Sequence, residues 1–107
     1  MILTILAGVF ALAPPTGVNA YDTPNDGGGR ITVEWQLSPD DATIEGYEIY
    51  RRTDGEAYEL AGFIGRGRAR YEDETEDGIT YVYKVAALRE TERGYSDPSP
   101  PAASKPH

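Results

Sequence analysis

From Pro14 onward, apolar and polar residues alternate with a period of two in short runs separated by turn residues, the pattern of half-buried strands. In "RITVEWQL", Ile31, Val33 and Trp35 fall on one face and Thr32, Glu34 and Gln36 on the other. "YEIYRR" repeats this, with Tyr47 and Ile49 inward and Glu48, Tyr50 and Arg52 outward. "GITYVYKVAAL" is the strongest strand: Tyr81, Tyr83, Val85 and Ala87 alternate with Thr80, Val82, Lys84 and Ala86. Weaker runs surround these three. "APPTGVNAYDTP" reads as a proline-flanked edge strand, because proline biases its predecessor to extended geometry and lacks the N–H a central strand needs. "AYELAGFI" places Leu60 and Ile64 inward with a bulge near Gly62, and "RARYEDE" turns Tyr71 inward. "GYSDPSPPA" closes the series as an edge strand broken by prolines.

The intervening segments carry turn chemistry. "NDGGG" consists of residues that tolerate positive φ, "SPDDATIEG" is a loop, and "TDGE" is an Asp-Gly hairpin turn. The count is seven strands and no helix, which predicts an all-β, seven-stranded antiparallel immunoglobulin-like sandwich. Its core would be built from Ile31, Val33, Trp35, Tyr47, Ile49, Tyr71, Tyr81, Tyr83 and Val85.

Composition narrows the reading further. A chain of 107 residues supports one domain, and 12 Gly with 8 Pro suit a turn-rich fold rather than a helical bundle. There is no cysteine, hence no disulfide framework and no thiolate chemistry, so stability must come from burial. Eighteen acidic against ten basic side chains give a net charge of −8, which repels phosphate backbones and makes nucleic acid an unsuitable partner. The acidic run "EDETED", Glu72 to Asp77, lacks the ligand spacing and turn glycine of a calcium loop and reads as a solvated loop.

The first thirteen residues, "MILTILAGVFALA", carry no charge. Their apolar run matches a signal-peptide core and is shorter than the roughly 20 residues of a membrane-spanning helix. Ala11-Leu12-Ala13 has the small-x-small form of a cleavage site, but no Lys or Arg precedes the run and Pro14 follows it. An export signal, a retained anchor in a membrane or partner groove, and a first strand all remain open. Either of the first two places the domain outside the cytoplasm, periplasmic or at the cell surface, with membrane contact through residues 1–13. The expected organisation is leader 1–13, domain 14–101 and a tail or linker 102–107.

The order of Trp35 in the second strand, "GYEIYRR" in the third, "YED" ending the fifth and Y-x-Y-x-V-x-A in the sixth resembles a fibronectin type III domain over Pro14 to Pro101. The resemblance implies that Trp35 packs centrally against the sheet carrying Tyr47. It also implies that Tyr81 is a corner tyrosine whose hydroxyl bonds to the preceding loop. Thr75 stands where the family usually has a leucine-like plug, and Asp77 where proline often follows, so a looser, more hydrated loop is expected there. Neither an Arg-Gly-Asp tripeptide nor a Trp-Ser-x-Trp-Ser box occurs.

Catalytic chemistry has little to work with. The one histidine is His107, and no serine elbow, phosphate loop or metal-spaced cluster is present, so no catalytic, cofactor or metal residue is assigned. Two partner-binding surfaces are expected instead. One is the outward face of the third and sixth strands, with Tyr50, Arg52, Val82 and Lys84. The other is the loop "GRGRAR", where Arg66, Arg68 and Arg70 concentrate positive charge that suits an acidic partner or lipid head groups. The loop "RETERGY" is a third site that the resemblance suggests. Two functions follow: a protein-binding accessory or docking subunit of a membrane assembly, or a structural spacer at the start of a longer exported or membrane protein.

Overall fold

The computed structural model describes residues 11–24 and 27–106. Along the described residues lie β1 (Thr16–Asp22), β2 (Arg30–Gln36), a 3₁₀ turn (Asp41–Thr43), β3 (Gly46–Arg52), β4 (Glu59–Gly65), β5 (Arg70–Glu74), β6 (Thr80–Arg89), β7 (Glu92–Tyr95) and β8 (Ala102–Ala103). They form two antiparallel sheets. The smaller has the order β1-β2-β5, and the larger β4-β3-β6-β7 with β8 also paired to β6. The architecture is the expected immunoglobulin-like sandwich, with eight strands among the described residues instead of seven.

Alternation builds the core. Ile31, Val33 and Trp35 from β2 meet Tyr47 and Ile49 from β3 and Tyr81, Tyr83, Val85 and Ala87 from β6, all buried. Tyr71 packs partly buried against this cluster. Trp35 and Tyr47 join the two sheets with ring centroids 5.6 Å apart at a tilt of 52°. The Tyr47 hydroxyl donates to Asp41 Oδ1 at 2.7 Å and accepts from Ser38 N at 2.9 Å, so the same ring fixes the β2–β3 loop.

β4 departs from its predicted register. Ile49 pairs with Gly62 but Tyr50 pairs with Leu60, so Ala61 is an extra residue in the ladder. A regular strand would turn residues four apart to one face; the bulge moves Leu60 to the other side, where it is 56% exposed, while Ile64 stays against the core. Leu60 is therefore a surface residue, not a core one.

Both ends of the domain extend beyond the expected boundaries. Residues 1–10 of the apolar leader lie outside the described residues. Leu12, however, is buried in the core, and Ala13 donates its N–H to Asp40 and accepts from the Ser38 hydroxyl. The chain passes so close to Gly94 that a Cβ there would stand 2.5 Å from the Leu12 carbonyl oxygen, which requires glycine at that crossing. At the other end, residues read as tail complete the sheet. Ala102 and Ala103 pair with Tyr81 and Thr80.

Between β7 and β8, Pro98, Pro100 and Pro101 have no N–H to give to β6, and two serines restore the ladder. Ser96 and Ser99 donate their N–H groups to the Val85 and Tyr83 carbonyls, and their hydroxyl oxygens accept from Val85 N and Tyr83 N.

The β5–β6 loop is tied down, contrary to the expectation of a loose, hydrated turn. Asp77 Oδ1 accepts from Gly29 N and from the Ser104 hydroxyl, each at 2.8 Å, and Gly78 N donates to the Ser104 carbonyl at 2.9 Å. Aspartate in place of proline thus supplies an acceptor that gathers two loops and the segment after β8. Thr75, in place of the apolar plug, bonds Gly29 O through its N–H and leaves its buried hydroxyl without a partner.

The corner tyrosine differs as well. Among the described residues Tyr81 makes no hydroxyl bond to the preceding loop; its ring lies beneath the Arg51 guanidinium, 4.9 Å from the centroid. Tyr83 carries the polar anchoring instead, donating at 2.6 Å to buried Asp73, which also receives Arg51 at 2.7 Å. Burial, then the bond to Asp73, raises the Tyr83 pKa. For Arg51, burial opposes the charge while Asp73 favours it, and the balance is a raised pKa.

Two outcomes follow. Tyr83→Phe should cost about 1.5–3 kcal/mol, as expected for a lost hydrogen bond to a charged group, and Tyr81→Phe less than about 0.5 kcal/mol. Urea unfolding of both variants checks this, and a larger loss at Tyr81 would contradict the assignment. Truncation after Pro101 should lower stability by about 1–3 kcal/mol through loss of the Ser104 bonds and β8; an unchanged midpoint would mean that this segment adds nothing.

Candidate interaction face

The outward positions of the larger sheet converge on one lysine. β3 and β6 pair Tyr50 with Lys84, Arg52 with Val82 and Glu48 with Ala86, so the four residues read from alternation are neighbours on one face. β4 sets Leu60 beside Tyr50 and Phe63 beside Glu48, and β7 sets Tyr95 beside Ala86. The Lys84 ammonium lies 4.3 Å from the Tyr95 ring centroid, 4.4 Å from that of Tyr58 and 5.9 Å from that of Tyr50. Arg52 lies 5.4 Å over Tyr58, and Tyr50 and Tyr95 rest against each other at 5.8 Å.

Apolar area accumulates around this centre. Leu60, Phe63 and Tyr95 are about half exposed, and they are three of the four large exposed hydrophobic side chains among the described residues. Phe63 spreads across Gly46, where a Cβ would strike the ring and the neighbouring backbone. The missing side chain at Gly46 lets the aromatic ring lie on the sheet. Glu48 faces outward as predicted, yet is only 8% exposed because its neighbours cover it. Its carboxylate accepts from Arg93 Nε at 2.6 Å and from the Tyr50 hydroxyl at 2.6 Å. The Arg93 hydrogen bond, helped by Tyr50, lowers the Glu48 pKa against the opposing effect of burial. Burial and the bond to Glu48 push the Tyr50 hydroxyl up to about 12.

The arginine loop does not form a single basic patch. Arg66 bonds the Ile44 carbonyl at 3.2 Å, Arg70 pairs with Glu72 at 3.1 Å, and Gly67 N is held by Asp41 at 2.9 Å. Arg68 is exposed and has no partner among the described residues. In the β6–β7 hairpin, Arg89 bridges Glu92 and Thr43 while Arg93 serves Glu48, so those charges also act within the domain. The outer face of the smaller sheet is polar: Tyr21 donates to Glu34, Thr23 shares a hydroxyl bond with Thr32, and Glu72 pairs with Arg30.

The sequence reading named Tyr50, Arg52, Val82 and Lys84 but missed Tyr58, Leu60, Phe63 and Tyr95. The signal for Leu60 was present in the Gly62 bulge, since a one-residue offset turns it outward beside Tyr50. Among the described residues no group of three or more His, Cys, Asp or Glu is placed to hold a metal ion, and no helix is long and apolar enough to cross a membrane.

Set beside solved structures, the chain has the fibronectin type III fold. It is similar to an Fn3-like protein from Clostridium thermocellum, with a TM-score of 0.70 and 22% identity over 86% of this chain and 92% of that one. The FN3 domain of human collagen XX matches with a TM-score of 0.62 and 18% identity over 81% and 86% of the two chains. A beta-1,2-glucanase from Parabacteroides distasonis matches at 0.63 and 24%, over 92% of this chain but 14% of its own length. No known family profile matches the sequence, and no curated protein does. At these identities the likeness establishes the fold.

The ion pair at the face yields a pH prediction. A carboxylate whose folded pKa is depressed contributes stability above its unfolded pKa and loses it as pH falls through the folded value. Wild-type stability should therefore fall from the ordinary glutamate value of 4.5 downward. Glu48→Gln should be less stable near neutrality and less acid-sensitive. Urea midpoints at about pH 7 and about pH 3 test this; equal acid losses in both proteins would remove Glu48 from the account.

Proposed function

We propose that the domain is a non-catalytic protein-binding module that docks through the outer face of its larger sheet, as an extracytoplasmic accessory or docking subunit of a membrane-associated assembly. The observation that carries this is the grouping of half-exposed Leu60, Phe63 and Tyr95 around Tyr50, Tyr58 and Lys84. Contiguous exposed apolar area is costly for a soluble surface, and aromatic rings with cationic heads are enriched where proteins meet. The uncharged leader supports the extracytoplasmic, membrane-linked part of the proposal. In the second reading, a spacer within a longer protein, the same face covers the sheet and meets no partner. The small share of the glucanase occupied by a domain of this fold favours that alternative.

Co-purification in mild detergent from the native membrane fraction separates the two. A protein recovered with the wild type and lost with Leu60→Ser/Phe63→Ser, at equal thermal midpoints, is the expected result. Companions retained by both forms would take the docking role away from this face, and none with either would favour the spacer.

A further inference from the structure

We infer that the face recognises an extended peptide segment carrying a carboxylate, which seats on Lys84 between Tyr50, Tyr58 and Tyr95 while an apolar side chain lies on Leu60 and Phe63. This rests on the proposed docking role of the face and adds the chemistry of the partner.

The argument starts from an unmatched charge. Lys84 is surrounded by three tyrosine rings, and among the described residues no carboxylate lies within ion-pair distance of its ammonium. Ring faces stabilise the cation but do not accept its N–H donors as an oxygen would, and an ammonium has three. Arg52 is in a similar position, with the Tyr58 ring and a long 3.5 Å contact to the Thr53 carbonyl. The neighbouring Glu48 cannot serve either cation, because Arg93 and Tyr50 occupy it. The face therefore holds two cations without carboxylate partners beside exposed apolar side chains, on a chain whose net charge is −8.

That net charge opposes an acidic ligand at long range. The opposition is screened beyond about 8 Å at physiological salt, whereas a carboxylate at Lys84 would sit within hydrogen-bond distance. Short-range pairing decides the outcome. A second copy is a poorer occupant, since three of the five carboxylates in its acidic run are already engaged, Glu72 with Arg30 and Arg70, Asp73 with Arg51 and Tyr83, and Asp77 with Gly29 and Ser104, which leaves Glu74 and Glu76. Lys84 and Leu60 flank Tyr50 on adjacent strands, about 10 Å apart at ordinary strand spacing. An extended ligand spans that distance with its acidic and apolar residues two to four positions apart.

Selection of a random linear peptide library on the immobilised domain tests this, with binders re-measured on Lys84→Gln, Lys84→Arg and Leu60→Ser/Phe63→Ser. Expected are peptides with Asp or Glu near an apolar residue, about tenfold or more weaker on Lys84→Gln, partly restored by Lys84→Arg and lost on the double variant. Peptides that need Leu60 and Phe63 but lack an acid, or are indifferent to Lys84→Gln, overturn the inference and leave the docking face standing. Peptides indifferent to every face substitution, or no binders, overturn the inference, and the docking face then stands or falls on the co-purification.

Discussion

The contact of Trp35 with Tyr47 is the interaction on which the remaining structure hangs. One ring comes from the smaller sheet and the other from the larger, and with no cysteine in the chain nothing covalent holds the layers together. Burying rings of this size supplies several kcal/mol. The Tyr47 hydroxyl adds direction, because its bonds to Asp41 and Ser38 fix the loop that also receives Ala13. Sheet packing, loop closure and the entry of the chain are thereby coupled through one side chain.

At the opposite end of the sandwich, polar groups do comparable work. Asp73 gathers Arg51 and Tyr83, while Asp77 gathers Gly29 and Ser104. Asp73 is buried, and a buried carboxylate loses hydration worth several kcal/mol that charged and hydroxyl donors must replace, whereas Asp77 stays exposed. These clusters lie where the family's apolar plug is absent. The end of this domain is closed by hydrogen bonds in place of side-chain volume, and Thr75 leaves one buried hydroxyl unmatched there.

The strands β2, β3 and β6 were legible because one face of each carries apolar residues to the core and the other mostly polar ones, which writes the period of two directly into the residues. β4 was legible as a strand but not in its register, since the bulge read near Gly62 does not by itself say that Ala61 is the extra residue, which is what turns Leu60 outward. β8 is two alanines, too short and too weakly apolar to signal a strand, and Ser104 just beyond it is held by Asp77. Glu48, Asp73 and Asp77 look like solvated charges in a linear reading, because Arg93, Arg51 and Gly29, which donate to them, lie 45, 22 and 48 positions away. Half of the candidate face followed from alternation on β3 and β6. The other half depended on the β4 bulge and on which strands flank the central pair, both set by tertiary pairing.

The two outer faces show that exposure alone does not make a docking surface. On the smaller sheet each exposed charge has a neighbour of opposite sign or a hydroxyl, as in the Arg30–Glu72–Arg70 row, and such a surface gains little by exchanging water for a partner. On the larger sheet the bulge delivers Leu60 outward, Gly46 lets Phe63 lie flat, and Glu48 is neutralised by Arg93, leaving Lys84 among rings. Each feature is a local consequence of backbone or pairing. Together they leave a surface whose apolar area and unmatched cations would both be better satisfied by contact, which is why the asymmetry between the faces bears more on function than any single residue does.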